Sequence, residues 1–137
     1  MAFVLDASVS ACWAFSDEQV PDAFAALTRL GTEEAVVPAL WWFEIRNVLL
    51  INERRRRLSE ADVAGFMTRL AKLPIRIESP PGRSAAVLEA ARSYRLTVYD
   101  AAYFELAVHH GLGLATLDAE LIHAARKAGV PLVTAQS

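Results

Sequence analysis

Short apolar stretches alternate with helical ones along this chain, and that alternation restricts its fold more than any other feature. Phe3-Val4-Leu5, Ala35-Val36-Val37, Ile75-Arg76-Ile77-Glu78, Leu114-Ala115-Thr116 and Pro131-Leu132-Val133 each have the length of one short strand. Between them lie helical patterns, from Ala7 to Phe15, Pro21 to Leu30, Leu40 to Arg57, Ser59 to Leu73, Arg83 to Arg95, Asp100 to His110 and Ala119 to Lys127. Pro21 suits a first helical turn, and Gly31, Gly111 and Gly129 mark helix ends. Ser59-Glu60-Ala61-Asp62 is a capping box, and Pro80-Pro81-Gly82 is the one loop with strong breakers. Strands separated by helices throughout mean βαβ crossovers, so the chain is predicted to be an α/β domain. Its three layers, α/β/α, enclose a central parallel sheet of four to five strands. The pattern does not reveal strand order. No repeat, low-complexity tract or linker interrupts it, so residues 1–137 are read as one domain.

Composition narrows the function classes. Apolar residues make up 54% of the chain and charged residues 22%, enough to bury a core and to exclude intrinsic disorder. Fourteen basic residues face sixteen acidic ones, for a net charge of −2. Bulk positive charge therefore cannot hold this chain to nucleic acid; local basic patches or bound cations would have to do so. A single cysteine, Cys12, forms no internal disulfide and points to a reducing cytoplasm. The longest apolar run, Val36 to Phe43, contains Pro38 and falls far below the roughly 20 residues of a spanning helix. The apolar stretch before Asp6 is too short for a signal peptide, so no membrane role is expected. A mean hydropathy of +0.26 leaves apolar residues to spare for a surface that meets a partner.

Three of the six aspartates fall at element ends. Asp6 follows the first strand, Asp100 opens a helix, and Asp118 follows the fourth strand. In an open parallel sheet, ligands bind outside the carboxyl ends of the strands, where such residues gather. Each of the three can also be a helix N-cap and nothing more. Capping cannot explain Glu44, which lies in the largely apolar stretch Leu40 to Ile51 and shares a helix face with Asn47. A carboxylate in that setting is paired, protonated or bound to a cation. Arg46 is the candidate ionic partner, and a metal site is the alternative. Four carboxylates without a nearby lysine suit Mg²⁺ or Mn²⁺, hard ions that prefer oxygen ligands, and not zinc. Such ions position and activate phosphodiesters for hydrolysis. Ser8 and Thr116, each two residues from an aspartate, can orient a carboxylate, or can simply bond local backbone.

With those residues in place, Phe3-Val4-Leu5-Asp6-Ala7-Ser8, Glu44-x-x-Asn47, Tyr99-Asp100-Ala101-Ala102-Tyr103 and Leu114-Ala115-Thr116-Leu117-Asp118 resemble the four motifs of PIN-domain nucleases. The chain is similar in length to the VapC-type toxins of bacterial toxin–antitoxin pairs, and the resemblance covers all of it, most specifically Leu96 to Val133. It implies a PIN-like fold and a metal-dependent endoribonuclease. The catalytic and metal-binding acids would be Asp6, Glu44, Asp100 and Asp118, supported by Ser8, Asn47 and Thr116. It also implies a homodimer, and a cognate antitoxin whose tail enters the active-site groove. Glu120 either adds to the acidic set or is a solvated first-turn acid.

Arg54, Arg55, Arg56 and Arg57 form the only charge run. They either complement a helix C-terminus or contact RNA phosphates. Trp13, Trp41 and Trp42 are expected in the core or at an interface, which makes the Leu40 region a candidate dimer or antitoxin surface. His109, His110 and His123 are expected on helix surfaces and not as ligands. A phosphoaspartate enzyme would want an aspartate where Ser8 stands, and a receiver domain would want an acidic pair and a late lysine that are not there. The remaining alternative is a non-catalytic RNA- or protein-binding domain that keeps the fold without the chemistry.

Overall fold

The computed structural model describes residues 1–78 and 84–136, so the Pro80-Pro81-Gly82 breaker loop lies outside the described residues. Four strands are seen: β1 (Ala2–Leu5), β2 (Glu34–Pro38), β3 (Ile75–Glu78) and β4 (Gly113–Ala115). The helices are α1 (Ala7–Cys12), α2 (Pro21–Arg29), α3 (Ala39–Arg54), α4 (Glu60–Leu70), α5 (Ser84–Tyr94), α6 (Val98–His110) and α7 (Ala119–Ala128). The strands form one parallel sheet in the order β3-β2-β1-β4.

Burial along the central strands shows that both faces of this sheet are covered. Successive strand side chains point to opposite faces, and Phe3, Val4 and Leu5 are all fully buried, as are Ala35, Val36 and Val37. β3 is one of the two edge strands, and there Arg76 and Ile77 are exposed. A charge on an edge strand discourages pairing with another chain. Crossovers β1-to-β2 and β2-to-β3 run in one direction along the sheet, and β3-to-β4 returns past both. With right-handed crossovers, the return path lies on the opposite face. Accordingly α1 packs on α2 and α3, whereas α6 packs on α5, α7 and strands β1, β2 and β4. Among the described residues no helix is long and apolar enough to cross a membrane.

Local signals set most boundaries. Ser59 caps α4 through the reciprocal bonds of a capping box with Asp62. Gly111 and Gly129 end α6 and α7 in left-handed conformation, at φ of 65° and 74°. The ends of α3 and α5 have the same backbone form without glycine. Arg56, at φ 61°, follows α3, where its N–H bonds Glu53 and the Arg57 N–H bonds Asn52. Arg95, at φ 54°, follows α5, where the Leu96 N–H reaches Ala91. These are Schellman-type ends with arginine in the position that glycine usually fills.

Three expectations change. α1 stops at Cys12 and not at Phe15, and the chain then turns, with the Trp13 indole N–H bonded to the Ala23 carbonyl at 2.9 Å. α6 begins at Val98, two residues before Asp100. The stretch Pro131 to Val133 is not a full strand. It makes one parallel bridge, Leu132 beside Leu114, flanked by bonds from the Leu114 N–H to Pro131 and from the Val133 N–H to Leu114. Pro131 has no N–H with which to extend that ladder.

Candidate active site

Sheet order sets the position of the candidate site. β1 has β2 on one side and β4 on the other, so the chain switches direction between β1 and β4. At such a switch point the loops beyond the strand ends part and leave a crevice. Leu5 pairs with Ala115, and the Asp6 N–H continues the ladder to the Ala115 carbonyl at 2.9 Å. Asp6 and Thr116 therefore leave the sheet side by side, and Asp118 follows at the start of α7.

Asp6 is buried, with 5% exposure. It stands at the N-cap position of α1 without making a side-chain cap bond. Its Oδ2 accepts instead from the hydroxyls of Ser8 at 2.7 Å and Thr116 at 2.8 Å. Those hydroxyls in turn accept from backbone: Ser8 from the Leu117 N–H, and Thr116 from the Asp118 N–H, both at 3.0 Å. The β4–α7 turn is thereby tied to the start of α1. Burial raises the Asp6 carboxyl above the usual carboxylate range, the two hydroxyls pull it back, and the charge of Asp118 raises it further.

Asp100 is not the cap of α6. Thr97 is, its hydroxyl accepting from the Asp100 N–H, so it is the threonine and not the aspartate carboxylate that caps the helix. Burial raises the Asp100 carboxyl, followed by repulsion from Asp118 and Asp6; the Thr97 hydroxyl lowers it, and Glu120 adds a smaller push upward. Asp118 is a true N-cap. Its Oδ1 accepts from the Glu120 and Leu121 N–H groups at 2.9 and 3.0 Å, while its other oxygen has no hydrogen bond among the described residues. Glu120 is exposed, on the rim of this cluster.

Glu44 comes from α3, and its ionic partner in the sequence reading is not used. The Arg46 guanidinium lies 3.6 Å from the centre of the Trp42 ring and donates to the Trp42 carbonyl. The carboxylate accepts from the Tyr103 hydroxyl at 2.5 Å. Burial raises the Glu44 carboxyl, the tyrosine lowers it, and the charges of Asp6 and Asp100 raise it again. Asn47 is exposed one turn further along α3.

The four acids thus converge from four places in the chain, and none of the influences on Asp6, Glu44 or Asp100 is a cation. Mutual repulsion of this kind is relieved when a cation enters. The donor set is oxygen only, which fits a hard divalent ion. Among the described residues, however, no three of His, Cys, Asp or Glu are arranged as a finished metal site.

The other candidates lie apart. Arg54 to Arg57 are exposed at the C-terminal end of α3, ten residues and roughly 15 Å along the helix from Glu44. Arg57 is already engaged: it reaches Asp17 and Glu18 at 3.5 Å and stacks 4.3 Å from the Phe15 ring. Trp41 is core, with its indole N–H on Ser10, while Trp42 and Phe43 are exposed. His110 contacts Glu78 at 2.7 Å, away from the acids. Tyr103 was not assigned a role from sequence. Its one signal was its place three residues after Asp100, on the same helix face.

No curated protein sequence matches the chain. Among solved structures, PAE2754 from Pyrobaculum aerophilum is similar at a TM-score of 0.68 and 24% identity, over 90% of this chain and 87% of that one. FitAcB from Neisseria gonorrhoeae is similar at 0.56 and 20%, over 99% of both chains. At those identities the likeness speaks for the fold. A family model described as the PIN domain matches residues 3–127, nearly the whole chain, and the chain belongs to the PIN domain family.

Proposed function

We propose that this protein is a Mg²⁺- or Mn²⁺-dependent endoribonuclease, a VapC-type toxin that acts in the cytoplasm and is held in check by a cognate antitoxin. The observation that carries this reading is the convergence of Asp6, Glu44, Asp100 and Asp118 beyond the strand ends, where Asp6 raises the carboxyls of Glu44 and Asp100, Asp118 raises those of Asp6 and Asp100, and no cation offsets them. Asp6, Asp100 and Asp118, with Glu44, would hold the ion, which when bound supplies positive charge against the scissile phosphate and a more acidic water. Ser8 and Thr116 fix the Asp6 carboxylate so that one oxygen is occupied and its direction set. Asp118 is held in the same way by two backbone N–H groups. Asn47, exposed on the Glu44 face of α3, would support the acidic set from there. Arg54, Arg55 and Arg56 would meet more distant phosphates. A homodimer and an antitoxin tail belong to the same reading, and exposed Trp42 and Phe43 beside Glu44 offer apolar surface to such partners.

One observation favours a second reading, a binding domain without chemistry: the acids do not form a finished three-ligand site among the described residues. Cleavage of total cellular RNA by the purified protein decides between them. We expect discrete fragments with Mg²⁺ or Mn²⁺, none with EDTA, and none from Asp6→Asn or Asp100→Asn. Absence of cleavage together with weak Mn²⁺ binding by calorimetry would favour the binding-domain reading instead.

A further inference from the structure

Tyr103 is fully buried in α6, and its hydroxyl is the one polar atom of a side chain otherwise surrounded by core. A buried tyrosine hydroxyl needs a partner. This one crosses 59 positions of sequence to the Oε1 of Glu44. It is the only hydrogen-bond donor to that carboxylate among the described residues, since Arg46 is spent on Trp42.

We propose that Tyr103 is a positioning residue for Glu44, holding the α3 carboxylate at the acidic crevice so that it can meet a divalent cation; this rests on the metal-nuclease reading above. α6 carries Asp100 and Tyr103 three residues apart, on one face. One rigid helix therefore supplies both an acid of the cluster and the donor that fixes the acid arriving from α3, which sets the spacing between Asp100 and Glu44. The chemistry of the donor also matters. Glu44 is repelled by Asp6 and Asp100, so an unheld side chain swings toward solvent. A lysine or arginine would hold it but would also cancel its charge and compete with the cation. A neutral hydroxyl holds it and leaves the charge in place. The bond at 2.5 Å has the length of a hydroxyl donating to an ionised oxygen.

Tyr103→Phe tests this, because the ring still fills the core and only the hydroxyl is lost. Mn²⁺ affinity is read by calorimetry, RNA cleavage as separate kcat and KM, and folding by urea denaturation. We expect Mn²⁺ affinity to fall about 10-fold, and kcat to fall with KM unchanged. In a Glu44→Gln background the same change is expected to have no further effect on Mn²⁺ affinity. Should Tyr103→Phe not fold, Glu44→Asp keeps the charge and withdraws the carboxylate from the hydroxyl, and it is expected to show the same loss. Wild-type Mn²⁺ binding that survives in the folded variant, or an equal loss with Glu44→Gln already present, overturns the positioning role and leaves the nuclease reading standing. A wild-type protein that binds no Mn²⁺ and cleaves no RNA overturns the nuclease reading and the positioning role with it.

Discussion

The backbone N–H of Asp100 donates to the hydroxyl of Thr97 at 3.1 Å, so the threonine caps α6 and the aspartate does not. The helix end is satisfied by the threonine, and the aspartate carboxylate is not used as its cap. Their losses should separate. Thr97→Ala is expected to lower stability by about 1 kcal/mol and to leave RNA cleavage nearly intact. Asp100→Asn is expected to leave the fold in place and reduce cleavage roughly 100-fold or more. Urea midpoints and initial cleavage rates on the two variants check both statements.

The crowded acids are expected to make the stability of the protein in EDTA depend on pH in an unusual direction. Asp6, Glu44 and Asp100 all titrate above the ordinary carboxylate range of about 4. Above that range, and until the raised folded values are passed, the folded state binds more protons than the unfolded one. Their contribution to stability therefore falls as pH rises through that window and stays low beyond it. Asp6→Asn removes one such charge while its amide oxygen still accepts from Ser8 and Thr116. In EDTA the variant should be more stable than wild type at about pH 8 and should lose that advantage toward about pH 4. Glu33 and Asp62, lowered by Arg29 and by the Ser59 cap, are common to both proteins and cancel in the comparison. A variant less stable than wild type at the higher pH would remove the repulsion argument.

Arg56 combines a backbone cost with a surface charge. Non-glycine residues in the left-handed region bear about 1 kcal/mol of strain, and Arg56 holds φ at 61° to close α3. Arg56→Gly is expected to raise stability by about 1 kcal/mol, read as an upward shift of the urea midpoint, and to weaken RNA binding at the same time. A single substitution that moves the two properties in opposite directions would mark this helix end as retained for its charge.

The rest of the arginine run should divide. Arg54 and Arg55 are exposed, without ion pairs among the described residues, so replacing them with alanine should reduce the salt slope of RNA binding by about 1 each. Arg57 is tied to Asp17, Glu18 and the Phe15 ring. Arg57→Ala should act mainly on stability and change that slope little. Fluorescence-anisotropy titrations at several salt concentrations separate the two groups.

Much of this was legible from sequence because the signals are local. Alternating apolar runs gave the strands, glycines gave two helix ends, and Ser59 with Asp62 gave a cap, all within a few residues of where they act. Asp6 and Asp118 stood out because the residue after a parallel strand is a known place for function. What escaped depends on distance or on an unusual choice of residue. Tyr103 reads as core, and its partner lies 59 positions away. Strand order is a property of pairing and leaves no local trace. The arginines that end α3 and α5 were invisible because glycine is the signal one looks for there. Thr97 was passed over because an aspartate three residues later looked like the better cap.

β4 is three residues long and joins the sheet at its edge, yet the hydroxyl just beyond it closes onto Asp6 across 110 positions. During synthesis the first acid of the cluster leaves the ribosome early and waits for the last. A chain interrupted anywhere before Gly113 carries Asp6, Glu44 and Asp100 but neither Thr116, which holds the Asp6 carboxylate, nor Asp118, so its acidic cluster stays unfinished however far the rest has folded.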